Sequence, residues 1–312
     1  MKQVWEKQGL IYSDRAQIPT IWEKDSKTWR IFFADRTQNN KSFIRSIDVQ
    51  AGSPKKVLAE SKSPLLDFGP IGAFDHDGTM PSWITVENGL IYLYYIGWSV
   101  RQDVPYQNLI GLAVSKDGGR NFTKVSEGPH LSTSPSEPYF CSTPCVIKRA
   151  TCDHLFYLSC VGWETNPNSP PEARYVIKHR ERGADSNHWS QNPELTLHFY
   201  HLREGGLCRP SVLVDNNNNW HMWYCYRDLE GYRNNKQNSY RIGYAQPNVD
   251  IRSQWKRKDF ECILEPSEIG WDSEAVSYPY VIKHQDQLFM FYNGNGFGST
   301  GMGYATLPLS NL

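Results

Sequence analysis

Short runs of β-branched, aromatic and aliphatic residues, separated by clusters of Gly, Asn, Asp and Ser, extend along the whole chain. No stretch sustains the helical period, and short apolar runs bounded by turn residues predict strands. Five of these runs open on a proline: Ile18-Pro19-Thr20-Ile21, Met80-Pro81-Ser82-Trp83-Ile84, Thr143-Pro144-Cys145-Val146-Ile147, Arg209-Pro210-Ser211-Val212-Leu213 and Tyr278-Pro279-Tyr280-Val281-Ile282. The prolines recur every 62 to 69 residues, the spacing of a supersecondary repeat.

A second apolar run follows each proline: WRIFFADR from Trp29, GLIYLYYIGW from Gly89, HLFYLSCVGW from His154, WHMWYCYRD from Trp220 and QLFMFYNGNG from Gln287. A third comes next (SFIRSIDV, LIGLAVSKD, YVIKHRER, YRIGYAQP, GMGYATLP), and a shorter fourth is visible at Phe122 and Trp255. The joins are short and rich in Gly, Asn and Asp, as hairpins require. Four antiparallel strands per repeat, without helices, predict a blade, so residues 1–312 are expected to form one all-β, five-bladed β-propeller. The last repeat ends at Thr306-Leu307-Pro308 with no fourth strand, whereas Val4-Trp5-Glu6-Lys7-Gln8-Gly9 matches the fourth strand at Trp255. The N-terminal strand is therefore expected to join the last blade and close the ring, which removes exposed edges. Two independent β-domains are the competing arrangement, and the even repeat and shared strand argue against it.

The composition narrows function more than fold. Balanced charge, 33 basic against 33 acidic residues, lacks the footprint of a partner for nucleic acid or anionic membrane. No apolar run is long enough for a signal peptide or a bilayer span. Seven cysteines, an odd number lying mainly within strands, predict free buried thiols and hence a cytoplasmic location. Abundant Tyr and Trp suit pleated strands and also sugar-binding surfaces.

In a propeller the segment leading into each first strand lies at the mouth of the central channel, where a ligand site is expected. These lead-in segments carry Asp14 and Arg15, then Asp75, His76 and Asp77, then Glu137, then Glu204 and Arg209, then Asp272, Glu274 and Tyr278. Paired carboxylates are the requirement of glycosidic cleavage, one protonating the leaving oxygen and the other attacking or activating water. Asp75 and Asp77 are candidate bases or nucleophiles, and Glu204 and Glu274 candidate acids. Arg15 and Arg209 are candidates for binding an anionic group, with Asp272, His76 and Tyr278 beside them. The ends of the second strands add Trp98 and Trp163 for stacking on a sugar, and Arg227, Asn293 and Asn295 for its hydroxyls. Entry into each strand equally calls for salt bridges and turn caps, and the tryptophans for packing between blades. Ser115-Lys116-Asp117-Gly118-Gly119-Arg120-Asn121-Phe122 matches the Asp-box, a hairpin device with no catalytic role. Cys141 and Cys145 lack a second pair, so no metal site is expected from them.

The blade pattern resembles the five-bladed propellers of glycoside hydrolase families 43 and 32. The C-terminal third is similar to glycosidase-like propellers of bacterial sugar and polysaccharide pathways, through Arg209-Pro210-Ser211-Val212, Tyr240-Arg241-Ile242-Gly243-Tyr244-Ala245, Gly270-Trp271-Asp272-Ser273-Glu274 and Tyr292-Asn293-Gly294-Asn295-Gly296. The resemblance implies a carbohydrate-active, glycosidase-like enzyme acting on a small sugar or sugar derivative. It implies no cofactor and is compatible with a structural cation in the channel. It also implies a catalytic Asp directly before the first proline, where this chain has Ile18, and acids near the third and fourth, where it has Thr143 and Cys208-Arg209. Any catalytic carboxylate must therefore act from a displaced position. A non-catalytic propeller binding a sugar or protein is the alternative, and a sialidase-like hydrolase a second, weakened by the single Asp-box.

Overall fold

The computed structural model describes residues 2–167, 169–183, 186 and 188–312, which are almost wholly strand and turn. The chain opens with β1 (Gln3–Val4) and β2 (Glu6–Tyr12). A first antiparallel group of four follows: β3 (Gln17–Asp25), β4 (Thr28–Arg36), β5 (Ser42–Gln50) and β6 (Ser53–Glu60). The second is β7 (Gly78–Glu87), β8 (Leu90–Ser99), β9 (Gln107–Ser115) and β10 (Thr123–Lys124). The third is β11 (Cys141–Ile147), β12 (Cys152–Asn166), β13 (Ser169–Gly183) and β14 (Glu194–Leu197). The fourth is β15 (Glu204–Val214), β16 (Trp220–Asp228), β17 (Arg241–Gln246) and β18 (Lys256–Arg257). After the short β19 (Cys262–Ile263) come β20 (Ser277–His284), β21 (Gln287–Asn293) and β22 (Met302–Pro308), and β2 pairs antiparallel with β22.

A single parallel bridge, Ser42 to Gly78, links the first two groups, and another, Tyr175 to Gly206, links the third and fourth, giving two eight-stranded sheets and one of four. The proline-led strands pack on one another in turn: β3 on β7, β7 on β11, β11 on β15, β15 on β20, and β20 on β3. Apolar side chains fill the spaces between groups. Trp29 of the first group, for example, meets Phe289 and Phe291 of the last edge-on at 5.1 and 5.9 Å.

Each proline marks a β-bulge. Register slips between Gln17 and Thr20, Pro81 and Trp83, Ser142 and Cys145, Cys208 and Ser211, and Ser277 and Tyr280. In four of the five, the preceding residue is left-handed: Ile18 (φ 58), Thr143 (φ 45), Arg209 (φ 55) and Tyr278 (φ 55). Such a backbone is unfavourable for Ile and Thr in particular. Its repetition in four groups marks it as part of the architecture, re-aiming one side chain per strand.

Two expectations shift in detail. Gln3–Val4 pairs parallel with Cys262–Ile263, and only from Glu6 onward does the N-terminal segment run along β22. The third run of the third group extends well beyond YVIKHRER, because β12 and β13 continue together as a long projecting hairpin. All seven cysteines are free thiols, six of them buried.

Candidate functional site

Buried acids of the lead-in segments latch four of the five groups of strands to themselves. Asp75, 1% exposed, accepts from Tyr95 Oη on β8 at 3.0 Å and pairs with Lys124 Nζ on β10 at 2.6 Å. Asp272, equally buried, accepts from Tyr292 Oη on β21 at 2.9 Å and pairs with Lys7 Nζ on β2 at 2.6 Å. Glu137 accepts from Tyr157 Oη at 2.8 Å and pairs with Lys178 at 3.3 Å and with Arg180. Glu204 is held by both Arg257 amino groups at 2.7 Å, and Arg257 also grips Asp259, the acceptor for Tyr224 Oη. The logic is electrostatic: a buried carboxylate requires a cation and hydrogen bonds. Burial and the adjacent carboxylate drive the Tyr95, Tyr157 and Tyr292 hydroxyls up, so they remain donors. Burial pushes the Glu137 carboxyl up, but its hydrogen bonds and the Lys178 charge outweigh this and bring it below the usual carboxylate range. Where the first group has Phe33 in place of the tyrosine, the lead-in Asp14 is exposed instead of buried. Asp75, Glu204 and Asp272 are thus corrected from site residues to structural ones, since buried ion pairs leave them no face toward a ligand.

Arg209 does point to the axis, but as a rivet. It is fully buried; Nη1 donates to Ser82 O and Oγ at 2.5 and 3.1 Å, and Nη2 to Pro19 O and Thr20 Oγ1 at 2.9 and 3.1 Å. Its own N–H donates to Thr143 Oγ1 at 3.1 Å, and its guanidinium lies 5.3 Å from the Tyr280 ring. One residue of β15 thereby joins β3, β7, β11 and β20. No carboxylate pairs with it among the described residues, and burial lowers its pKa to about 10. An anion-binding role is corrected accordingly. A channel cation does not fit these residues either, because axial carbonyls already accept from a guanidinium and a positive charge already occupies the axis.

Above this rivet lies a cleft of about 1140 Å³. Its lining includes Ile18, Met80, Thr143, Cys208 and Tyr278, residues at or just before each of the five prolines, so it opens where those strands converge. The connections from second to third strands raise its walls, around residues 100–106, the β12–β13 hairpin and residues 229–240. Aromatic rings dominate one side: Tyr106, Phe140, Tyr175, Tyr232, Tyr240 and Phe297. Buried Arg227 braces that side from behind, donating to Tyr175 Oη at 2.9 Å and stacking 3.9 Å from the Tyr232 ring, while Tyr175 and Tyr240 hydroxyls meet at 2.7 Å. The cleft carboxylates are Asp103, Glu164, Glu172 and Glu230. Glu164 and Glu172 stand opposite each other across the hairpin, which sets their Cβ atoms about 5 Å apart. Glu172 accepts from Tyr232 Oη at 2.9 Å and lies 3.5 Å from Arg233, while Glu164 meets Arg174 at 3.3 Å and is half-exposed. Arg36, which also lines the cleft, lies over the Trp98 ring at 5.2 Å.

Of the residues expected from the sequence, Trp98 and Tyr278 line the cleft. Trp163 and Arg227 support it from beneath, Trp163 by packing on Tyr106 and Phe140 at 5.5 and 5.8 Å. Arg15 lies near Arg36, whose pKa is lowered by burial and by the Arg15 charge. The others are elsewhere. Asp77 caps Val100 N at 2.8 Å, and His76 faces Lys41 at 3.2 Å. Glu274 is exposed on its loop. Asn293 is wholly engaged with Ile18 N, Ala16 O and Gly301 O, and Asn295 caps Glu274 N at 2.8 Å. The residues that sequence reasoning missed (Arg36, Glu164, Glu172, Tyr232, Arg233) come from second-strand ends and the connections after them. For all but Arg36, the signal was the unusual length of those connections in the third and fourth repeats. Outside the cleft, Cys152, His154 and Glu181 bring ligand-type atoms within 4.8 Å of one another. Arg252 holds Glu181 at 2.7 Å and His179 meets His154 at 3.1 Å, so these groups already satisfy one another.

No known family profile matches the chain. Two curated relatives, uncharacterized protein MT1551 of Mycobacterium tuberculosis strain CDC 1551 and uncharacterized protein Rv1502 of strain H37Rv, are each 29% identical over 97% of this chain and 99% of their own. Among solved structures, an α-L-arabinofuranosidase from Lactobacillus brevis aligns with a TM-score of 0.68 at 12% identity, covering 97% of this chain and 92% of its own. A β-1,2-mannobiose phosphorylase from Listeria innocua gives 0.65 at 13% over 96% and 90%, and a thermostable family-43 glycoside hydrolase 0.62 at 16% over 97% and 89%. The chain therefore has the β-propeller fold of the family-43 type of glycoside hydrolase, as the proline-led repeat implies.

Proposed function

We propose that this chain is a glycosidase-like, carbohydrate-active enzyme whose sugar substrate lies in the cleft above Arg209. The observation that carries this reading is the cleft itself: aromatic rings fit for stacking on sugars stand beside two neighbouring carboxylates, Glu164 and Glu172, in a fold shared with glycoside hydrolases. Their spacing on the hairpin is compatible with the roughly 5–10 Å between the carboxyl groups of glycosidases. We assign Glu172, which accepts from Tyr232, the role of base or nucleophile, and Glu164, its cross-strand neighbour, the role of acid. Asp77, half-buried at the edge of this mouth, is retained only as a neighbour that fixes the backbone after Trp98.

The architecture we propose beneath this site is a ring of five blades in one domain, closed by β2. Support comes from the latches as well as the strand pairing. Lys7 of β2 reaches Asp272 as Lys124 of β10 reaches Asp75, so β2 stands as the outer strand of the last blade. Hydrolysis of a panel of aryl glycosides tests the function. Glu172→Gln and Glu164→Gln are expected to lower turnover by roughly 10²–10⁴-fold, and unchanged turnover in both would remove catalysis from this hairpin. The occupation of the lead-in positions by Ile18, Thr143 and Arg209 favours one second reading, a sugar-binding propeller without catalysis. Sugar binding by calorimetry with no turnover of any panel member would select it.

A further inference from the structure

Most charges around the cleft are paired: Arg233 lies beside Glu172, Arg174 beside Glu164 and Arg101 beside Asp103. The carboxylates Glu164 and Glu172 lie on the third-group hairpin, while Arg36 lies on the side formed by the first and second groups. Arg36 ends β4 half-buried, and its guanidinium is pinned: Nε donates to Gln17 Oε1 at 2.8 Å, and Nη1 to Asn40 O and Oδ1 at 3.0 Å. The flat face lies over Trp98. Nη2 donates to no described residue, and no described carboxylate pairs with this arginine. Its charged neighbour is instead Arg15, which has no acid partner among the described residues either. Several other basic groups are matched by acids, Arg30 by Asp48, Arg45 by Asp35 and Glu60, and Arg257 by Glu204 and Asp259, while buried Arg209 and Arg227 spend their donors on uncharged oxygens.

Arg36 lines the cleft within electrostatic reach of Arg15, and two like charges without a counter-charge raise one another's energy, which an incoming oxyanion relieves. A guanidinium whose orientation is already fixed loses little freedom on binding a planar or tetrahedral oxyanion. We infer that the cleft selects a glycoside bearing an anionic substituent on the sugar, a carboxylate or a phosphate, which Arg36 and Arg15 receive. This inference rests on the cleft being a sugar site, as proposed above. Arg233 and Arg174 are already matched by Glu172 and Glu164, so the anion is drawn to the Arg36 end, which fixes the direction in which the sugar lies.

The test is isothermal calorimetry on the full chain with D-glucuronate, D-galacturonate, D-glucose 6-phosphate, D-glucose, D-galactose and inorganic phosphate. At least one anionic sugar is expected to bind more tightly than its neutral parent. Arg36→Ala is expected to weaken that binding roughly ten- to a hundredfold, leaving the neutral sugars unaffected. Arg15→Ala, at a half-exposed residue with no ion pair, reduces the same preference without involving Gln17 or Asn40, and circular dichroism confirms its fold. Equal binding of charged and neutral sugars overturns the inference while leaving the cleft a sugar site. So does a preference that survives in both variants, or binding of inorganic phosphate as tight as that of the sugar phosphate. Silence with every sugar overturns the underlying reading, and this inference with it.

Discussion

Replacing Arg209 by methionine pits two effects of opposite sign against each other. The guanidinium is fully buried without a carboxylate, and burial has lowered its pKa to about 10, so the charge itself is a cost that methionine removes. Against this, four hydrogen bonds to Pro19 O, Thr20 Oγ1, Ser82 O and Ser82 Oγ are lost. Each bond from a charged donor contributes about 1.5–3 kcal/mol, and each buried acceptor left unpaired costs about 1–3 kcal/mol. Two hydroxyls can turn to new partners; the two carbonyls cannot. Orphaning those carbonyls alone costs about 2–6 kcal/mol, and methionine's similar volume limits the added cavity cost. The expected result is a net loss of about 2–4 kcal/mol, with Arg209→Ala worse because it also opens a cavity on the axis. Urea unfolding followed by tryptophan fluorescence measures this, with the slope m checked for constancy. Wild-type stability in Arg209→Met would refute the view that the arginine holds the inner strands together.

Other consequences can be checked in the same assay. Tyr292→Phe removes the hydroxyl that Asp272 accepts and is expected to cost about 1–2 kcal/mol. The reverse change where the latch is missing, Phe33→Tyr, buries a hydroxyl with no lead-in acid to receive it and should cost about 1–3 kcal/mol; a neutral result would undo the latch rule. Gly111→Ala would drive a Cβ into the Tyr95 ring, and a loss of about 1–3 kcal/mol is expected from the forced shift. Burial lowers the pKa of His154 and of His179 from 6.5 to about 4, with the neighbouring His179 charge adding to the effect on His154. The unfolded chain therefore binds more protons between those values, so stability falls as pH drops from 6.5 toward 4. Equilibrium unfolding at a series of pH values should show this slope, reduced in His154→Asn.

The sequence alone determined the repeat. Apolar runs of strand length, hairpin turns and a proline at one fixed place in each unit are local properties, set by backbone sterics and by the two faces of a strand. Thus the runs from Trp29, Gly89, His154, Trp220 and Gln287 correspond to the second strands, and the lead-in residues Ile18, Met80, Thr143, Cys208 and Tyr278 do converge on one cleft. What the sequence could not decide was the fate of each charge there. Asp75 and Glu172 are both carboxylates outside the apolar runs that mark strands in the sequence, yet one is sealed against Lys124 and Tyr95 while the other lines the cleft beside Arg233. That difference depends on partners brought from distant strands, and on burial, which no local pattern encodes. The same holds for Arg209 and Arg36. Both follow from one strand ending or beginning at the axis, but Arg209 meets carbonyls from two other groups of strands, whereas Arg36 meets another arginine and keeps one amino group free. Only the closing together of the strand groups separates the charge that holds the fold from the charge left for a ligand.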